Sequence, residues 1–107
     1  MKEILSLKDF KEVIEQSKPV LLDFYADWCG PCQSLLPTLD SISDELKGDA
    51  IVAKINVDKH PDLAAHFKVR SIPSLFFMKD GEVKDHLLGL QMKSTLVQKL
   101  DEIGKAA

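Results

Sequence analysis

Val20-Leu21-Leu22-Asp23-Phe24-Tyr25-Ala26 is a nearly continuous apolar run, and Asp27-Trp28-Cys29-Gly30-Pro31-Cys32 follows it directly. A run that short, opened after Pro19 and closed by a turn, predicts a strand covered on both faces. Beyond it, Leu35, Leu36, Leu39, Ile42 and Leu46 recur at the spacing of one helical face until Gly48 ends the pattern. Pro37 falls inside that helix and predicts a kink. The two cysteines, Cys29 and Cys32, therefore sit where a buried strand gives way to a helix.

Upstream, Ser6 followed by Asp9 is a near relative of the capping box, and Phe10, Val13 and Ile14 continue at helical spacing. Pro19 closes that helix, and Glu3-Ile4-Leu5 before it reads as a short edge strand. Downstream, Ala50 to Val57 is a second buried strand, and His60-Pro61 opens a short helix through Phe67. Ser74 to Met78 is a strand, Lys79-Asp80-Gly81-Glu82 a hairpin turn, and Val83 to Leu88 the returning arm. Ser94 to Ile103 closes the chain as an amphipathic helix through Leu96, Val97, Leu100 and Ile103. The order is β-α-β-α-β-α-β-β-α, an α/β fold with helices on both faces of one sheet, parallel in its first part and antiparallel in the final hairpin.

At 107 residues, with no linker, repeat or low-complexity tract, the chain is expected to form one domain spanning 1–107. A net charge of −3, with Lys and Arg scattered singly, argues against a nucleic-acid partner. The first five residues, Met1 to Leu5, have no sustained apolar stretch of the kind that drives export. No apolar run approaches the ~20 residues that cross a bilayer. The expectation is a soluble monomer of the reducing cytoplasm. No Gly-x-Gly-x-x-Gly or phosphate loop points to a bound cofactor.

In that compartment a disulfide closing so small a loop stabilises little, which leaves redox chemistry or metal binding. Zinc would need two more ligands. His60 and His66 are spaced loosely like a pair, but they lie on a predicted helix beyond an intervening strand, far from finger spacing. Redox fits better. Unpaired N–H groups and the dipole at a helix start stabilise a thiolate. Cys29, nearer the helix start and solvent, is the expected nucleophile. Cys32, one turn deeper, is the expected resolving thiol across the stiff Gly30-Pro31 spacer.

Asp23 interrupts the apolar strand, where burial would raise its pKa and make it a proton acceptor near neutral pH. Lys54 interrupts the next strand in the same way, although a lysine can also extend to water from a strand. Pro73 opens a strand, an ordinary place for a proline; nothing in the residues alone makes the Ile72–Pro73 bond cis.

With these residues in hand, the chain resembles the thioredoxin family over essentially its whole length. Trp28-Cys29-Gly30-Pro31-Cys32 is a highly specific signature, supported by Asp23, Pro37, Lys54, Ile72-Pro73, Gly81 and Gly89 at matching distances. The resemblance implies a five-stranded mixed sheet flanked by four helices. It implies a protein-disulfide reductase recycled by a thioredoxin reductase. Cys29 would attack and Cys32 resolve, with Asp23 promoting Cys32 deprotonation and Lys54 tuning Asp23. It further implies a cis Ile72–Pro73 bond, and a shallow substrate-docking surface of Trp28, Gly30, Pro31, Ile72, Pro73 and Gly89. Two positions depart from the family's habit. Gln33 and Ser34 follow Cys32 where a basic residue is common, and Tyr25 stands where many members carry tryptophan. An oxidase or isomerase on the same fold is disfavoured by Gly30-Pro31 and by the lack of an export signal. A non-catalytic docking subunit using the surface around Trp28 is the alternative from a different class.

Overall fold

The computed structural model describes residues 1–105. Its elements are β1 (Lys2–Glu3), α1 (Leu7–Ile14), β2 (Val20–Tyr25), α2 (Gly30–Glu45), β3 (Ile51–Asn56), α3 (Pro61–His66), β4 (Ser74–Lys79), β5 (Glu82–Leu88) and α4 (Lys93–Lys105). The order matches the one read from the sequence, and the departures are local. At the start of α1 the Ser6 hydroxyl accepts the Asp9 N–H at 3.1 Å, while Asp9 Oδ2 accepts the Leu5 N–H at 3.0 Å. Two backbone donors that the helix cannot satisfy are thus closed reciprocally. The helix ends at Ile14 rather than reaching Pro19, because Glu15 to Lys18 offer no further apolar residue to bury.

The expected edge strand at 3–5 is instead Lys2–Glu3. Ile4 still donates to the Lys54 carbonyl at 2.9 Å, and the Leu5 N–H then turns to Asp9. Helix α2 is assigned continuously through Pro37. Asp80 and Gly81 both have positive φ, 54° and 77°, as the tight turn between antiparallel strands requires.

The five strands lie in the order β1-β3-β2-β4-β5. Strand β3 pairs parallel with both β1 and β2, and β4 runs antiparallel to β2 and β5. Alternation along each strand splits the core in two. Val20, Leu22, Phe24, Ala53, Ile55 and Phe76 face α1 and α3, packing with Phe10, Val13 and Leu63. Leu21, Val52, Leu75 and Phe77 face α2 and α4, packing with Leu35, Leu39, Ile42, Leu96 and Leu100. Covered on both sides, β2 reads as the apolar run that the sequence displays. Among the described residues no helix is long and apolar enough to cross a membrane.

Candidate active site

Strand β2 ends at Tyr25, a short turn follows, and Cys29 becomes the N-cap of α2 with extended φ and ψ of −87° and 110°. Gly30 and Pro31 occupy the first helical positions, where a missing proline N–H costs nothing. The Cys32 N–H, otherwise an orphan of the first turn, donates to Cys29 Sγ at 3.2 Å. Sulfur thus takes the place of the oxygen that usually caps a helix. Cys29 and Cys32 form a disulfide, with Cα atoms 5.2 Å apart. Cys29 is 5% exposed and Cys32 is fully enclosed, so any access to the pair is through Cys29.

Asp23 lies in the middle of β2, on the same face as Leu21, and has no exposed surface. Among the described residues, neither carboxyl oxygen has a hydrogen-bond partner. Burial pushes its pKa up to about 7, against an opposing pull from the Lys54 ammonium. Lys54 is the register partner of Asp23 on β3, and Glu3 on β1 is the register partner of Lys54, so the three stand in one row across the sheet. Lys54 Nζ is 3.6 Å from Glu3 Oε1 and 5.1 Å from the centre of the Tyr25 ring. The Tyr25 hydroxyl donates to Glu3 Oε2 at 2.7 Å. Burial and the neighbouring Glu3 both raise the Tyr25 pKa, which keeps the phenol protonated.

The Ile72–Pro73 bond is cis, and the Ile72 carbonyl oxygen lies 3.8 Å from Cys29 Sγ. Ile72 packs against the buried cluster formed by Tyr25, Ala26, Cys29 and Cys32. The Pro73 carbonyl accepts the Gly89 N–H at 2.9 Å, and Gly89 has φ of +80°, a conformation that side chains strain to adopt. Ile72, Pro73 and Gly89 are thereby tied to one another beside the cysteines. Trp28 is 71% exposed, yet its indole N–H donates to Asp58 Oδ2 at 2.9 Å. Asp58 is itself placed by buried Asn56, whose side-chain oxygen accepts the Asp58 N–H at 2.9 Å. Gln33 reaches back to the Ala26 carbonyl at 3.4 Å.

Glu3, Asn56 and Asp58 escape a reading by sequence pattern. Asn56 alone carries a signal, a polar residue closing an apolar strand just before the loop that it braces. His60 and His66 lie at α3, and among the described residues no three His, Cys, Asp or Glu side chains converge to hold a metal.

The thioredoxin family model matches residues 2–102. A thioredoxin of Rickettsia felis is 49% identical over 96 residues, which cover 90% of this chain and 89% of that one. One from Chlorobaculum thiosulfatiphilum is 42% identical over 89% of each chain. Among solved structures, a mutant thioredoxin from Halobacterium salinarum superposes with a TM-score of 0.90 at 35% identity, covering 99% of this chain and 92% of that one. The fold is that of these relatives, and the cysteine pair sits at disulfide distance in a Cys-x-x-Cys spacing. The helix-capping sulfur of Cys29, the fold and the relatives agree: the chain belongs to the thioredoxin family and is a protein dithiol–disulfide oxidoreductase.

Proposed function

We propose that the protein reduces client disulfides through Cys29, with Cys32 resolving the intermediate and Asp23 accepting its proton. The carrying observation is the cap: Cys29 Sγ already accepts the Cys32 N–H at the start of α2, so a thiolate there meets a donor and the positive end of the dipole. In the reduced protein the Cys29 thiolate attacks one sulfur of a client disulfide. A Cys29–client mixed disulfide forms and the client's other sulfur leaves as a thiolate. Asp23 takes the Cys32 proton, and the Cys32 thiolate attacks Cys29 Sγ. The Cys29–Cys32 bond closes, the second client thiolate leaves, and two electrons have passed to the client. A thioredoxin reductase returns them.

Asp23 suits its part because a carboxyl titrating near neutral pH matches the operating range of such a base. Lys54 limits how far burial raises that pKa. Trp28, Gly30, Pro31, Ile72, Pro73 and Gly89 form the surface on which an extended client segment rests, with the Ile72 backbone beside Cys29. The protein acts as a cytoplasmic monomer.

Insulin reduction by dithiothreitol tests the reading, with wild type beside Cys29→Ser and Cys32→Ser. Wild type accelerates the reaction, and Cys29→Ser does not accelerate it at all. An inactive but folded wild type with both thiols free would instead make the protein a docking subunit.

A further inference from the structure

The carboxylate of Glu3 is not explained by the reaction or by the fold alone. A strand of two residues at the sheet edge needs no acid, yet Glu3 makes two directed contacts across the sheet. One oxygen faces Lys54 Nζ at 3.6 Å, and the other takes the Tyr25 hydroxyl at 2.7 Å. The Tyr25 ring, reaching from β2 toward β1, lies 5.1 Å from the same ammonium. Lys54 is therefore held between an acid and an aromatic face, on the side of the sheet where Asp23 is enclosed. Tyrosine here, in place of the family's frequent tryptophan, supplies the hydroxyl that fixes Glu3.

We propose that Glu3 is a positioning residue for the proton-transfer step, acting through Lys54 to set the charge that Asp23 feels. The ammonium is the one strong positive charge in the row Glu3–Lys54–Asp23, and Glu3 offsets it from the side opposite Asp23. Glu3 itself is two strand spacings from Asp23, roughly 10 Å, where a half-exposed charge acts weakly on its own. The other elements on that face of the sheet add little. Helix α2 contributes the Cys29–Cys32 disulfide, Leu35 and Leu39; its Asp40 points to solvent and pairs with the Met1 amino group. Helix α4 and strand β4 contribute Leu96, Leu100 and Leu75, and β2 contributes the protonated Tyr25. With Glu3 neutralised, the uncompensated ammonium favours the Asp23 carboxylate.

This inference rests on Asp23 being the acceptor, and its test separates the two ideas. Asp23 carboxyl titration is followed by carbon-13 NMR in the oxidised protein, for wild type, Glu3→Gln, Lys54→Met and the double variant. Glu3→Gln keeps an acceptor for the Tyr25 hydroxyl and removes only the charge. It is expected to lower the Asp23 midpoint by roughly half to one pH unit, and to lose that effect in the Lys54→Met background. The acid limb of insulin reduction moves by the same amount. An unmoved midpoint in Glu3→Gln, or an equal displacement with Lys54 absent, overturns the proposal. Failure of the acceptor role itself appears elsewhere, as full turnover in Asp23→Asn.

Discussion

Asp23 is enclosed on β2, and among the described residues neither of its oxygens has a partner, an arrangement that costs the fold whenever the carboxyl ionises. Its folded pKa of about 7 lies above the ordinary 3.8, so the folded state binds the proton more tightly than the unfolded chain. Stability from this group is complete below pH ~4, declines between about 4 and 7, and is lost above. Holding the proton that much more tightly corresponds to about 4 kcal/mol, with the opposing pull of Lys54 already counted in that pKa. Asp23→Asn in the oxidised protein is therefore expected to be several kcal/mol more stable than wild type at pH 8, with a flattened slope between pH 4 and 7. Urea denaturation at a series of pH values measures this, and parallel curves for the two proteins would contradict it. The burial of Asp23 was legible because a short acid amid apolar neighbours has nowhere to go. The position of Lys54 was not: its stem can reach water or a partner, and the choice depends on Glu3, which arrives from another strand.

At the scale of elements, the turn after β2 and the start of α2 carry the chemistry, and the loop after β3 steadies the rim. Asn56 braces Asp58, and Asp58 holds the exposed Trp28 indole. Asp58→Ala frees that ring. Its predicted effect is a several-fold rise in KM for insulin, about 1 kcal/mol of lost positioning, with little change in the reduction of a small disulfide that does not span the surface. Equal losses on both substrates would place the effect on the thiols instead. The strand–turn–helix unit and the final hairpin could be read directly, the first from its apolar run and helical face, the second from Asp80-Gly81. Two-residue β1 could not be bounded, since so short a strand has no periodicity and is defined only by its pairing with Ala53 and Lys54. The cis state of the Ile72–Pro73 bond is likewise set by tertiary surroundings; only the family resemblance anticipated it.

In the whole molecule one sheet separates two cores, with Phe24 on the α1/α3 side and Leu39 on the α2/α4 side. Because both cores share β2, the protein is expected to unfold as one unit. Phe24→Ala and Leu39→Ala each remove a fully buried side chain and should cost about 3–5 and 2–5 kcal/mol. Both are expected to leave the denaturant slope unchanged. Far-ultraviolet circular dichroism and the fluorescence of Trp28, the single tryptophan, should report coincident transitions. Separate midpoints would show that the two faces melt independently.

The division of labour between the sulfurs is the central claim, and trapping tests it most directly. Each reduced single variant is mixed with a client protein carrying one disulfide, and covalent adducts are mapped by mass spectrometry. Cys32→Ser should accumulate a mixed disulfide through Cys29, while Cys29→Ser, left with only the enclosed Cys32, should form almost none. Capture through Cys32 as fast as through Cys29 would contradict the account.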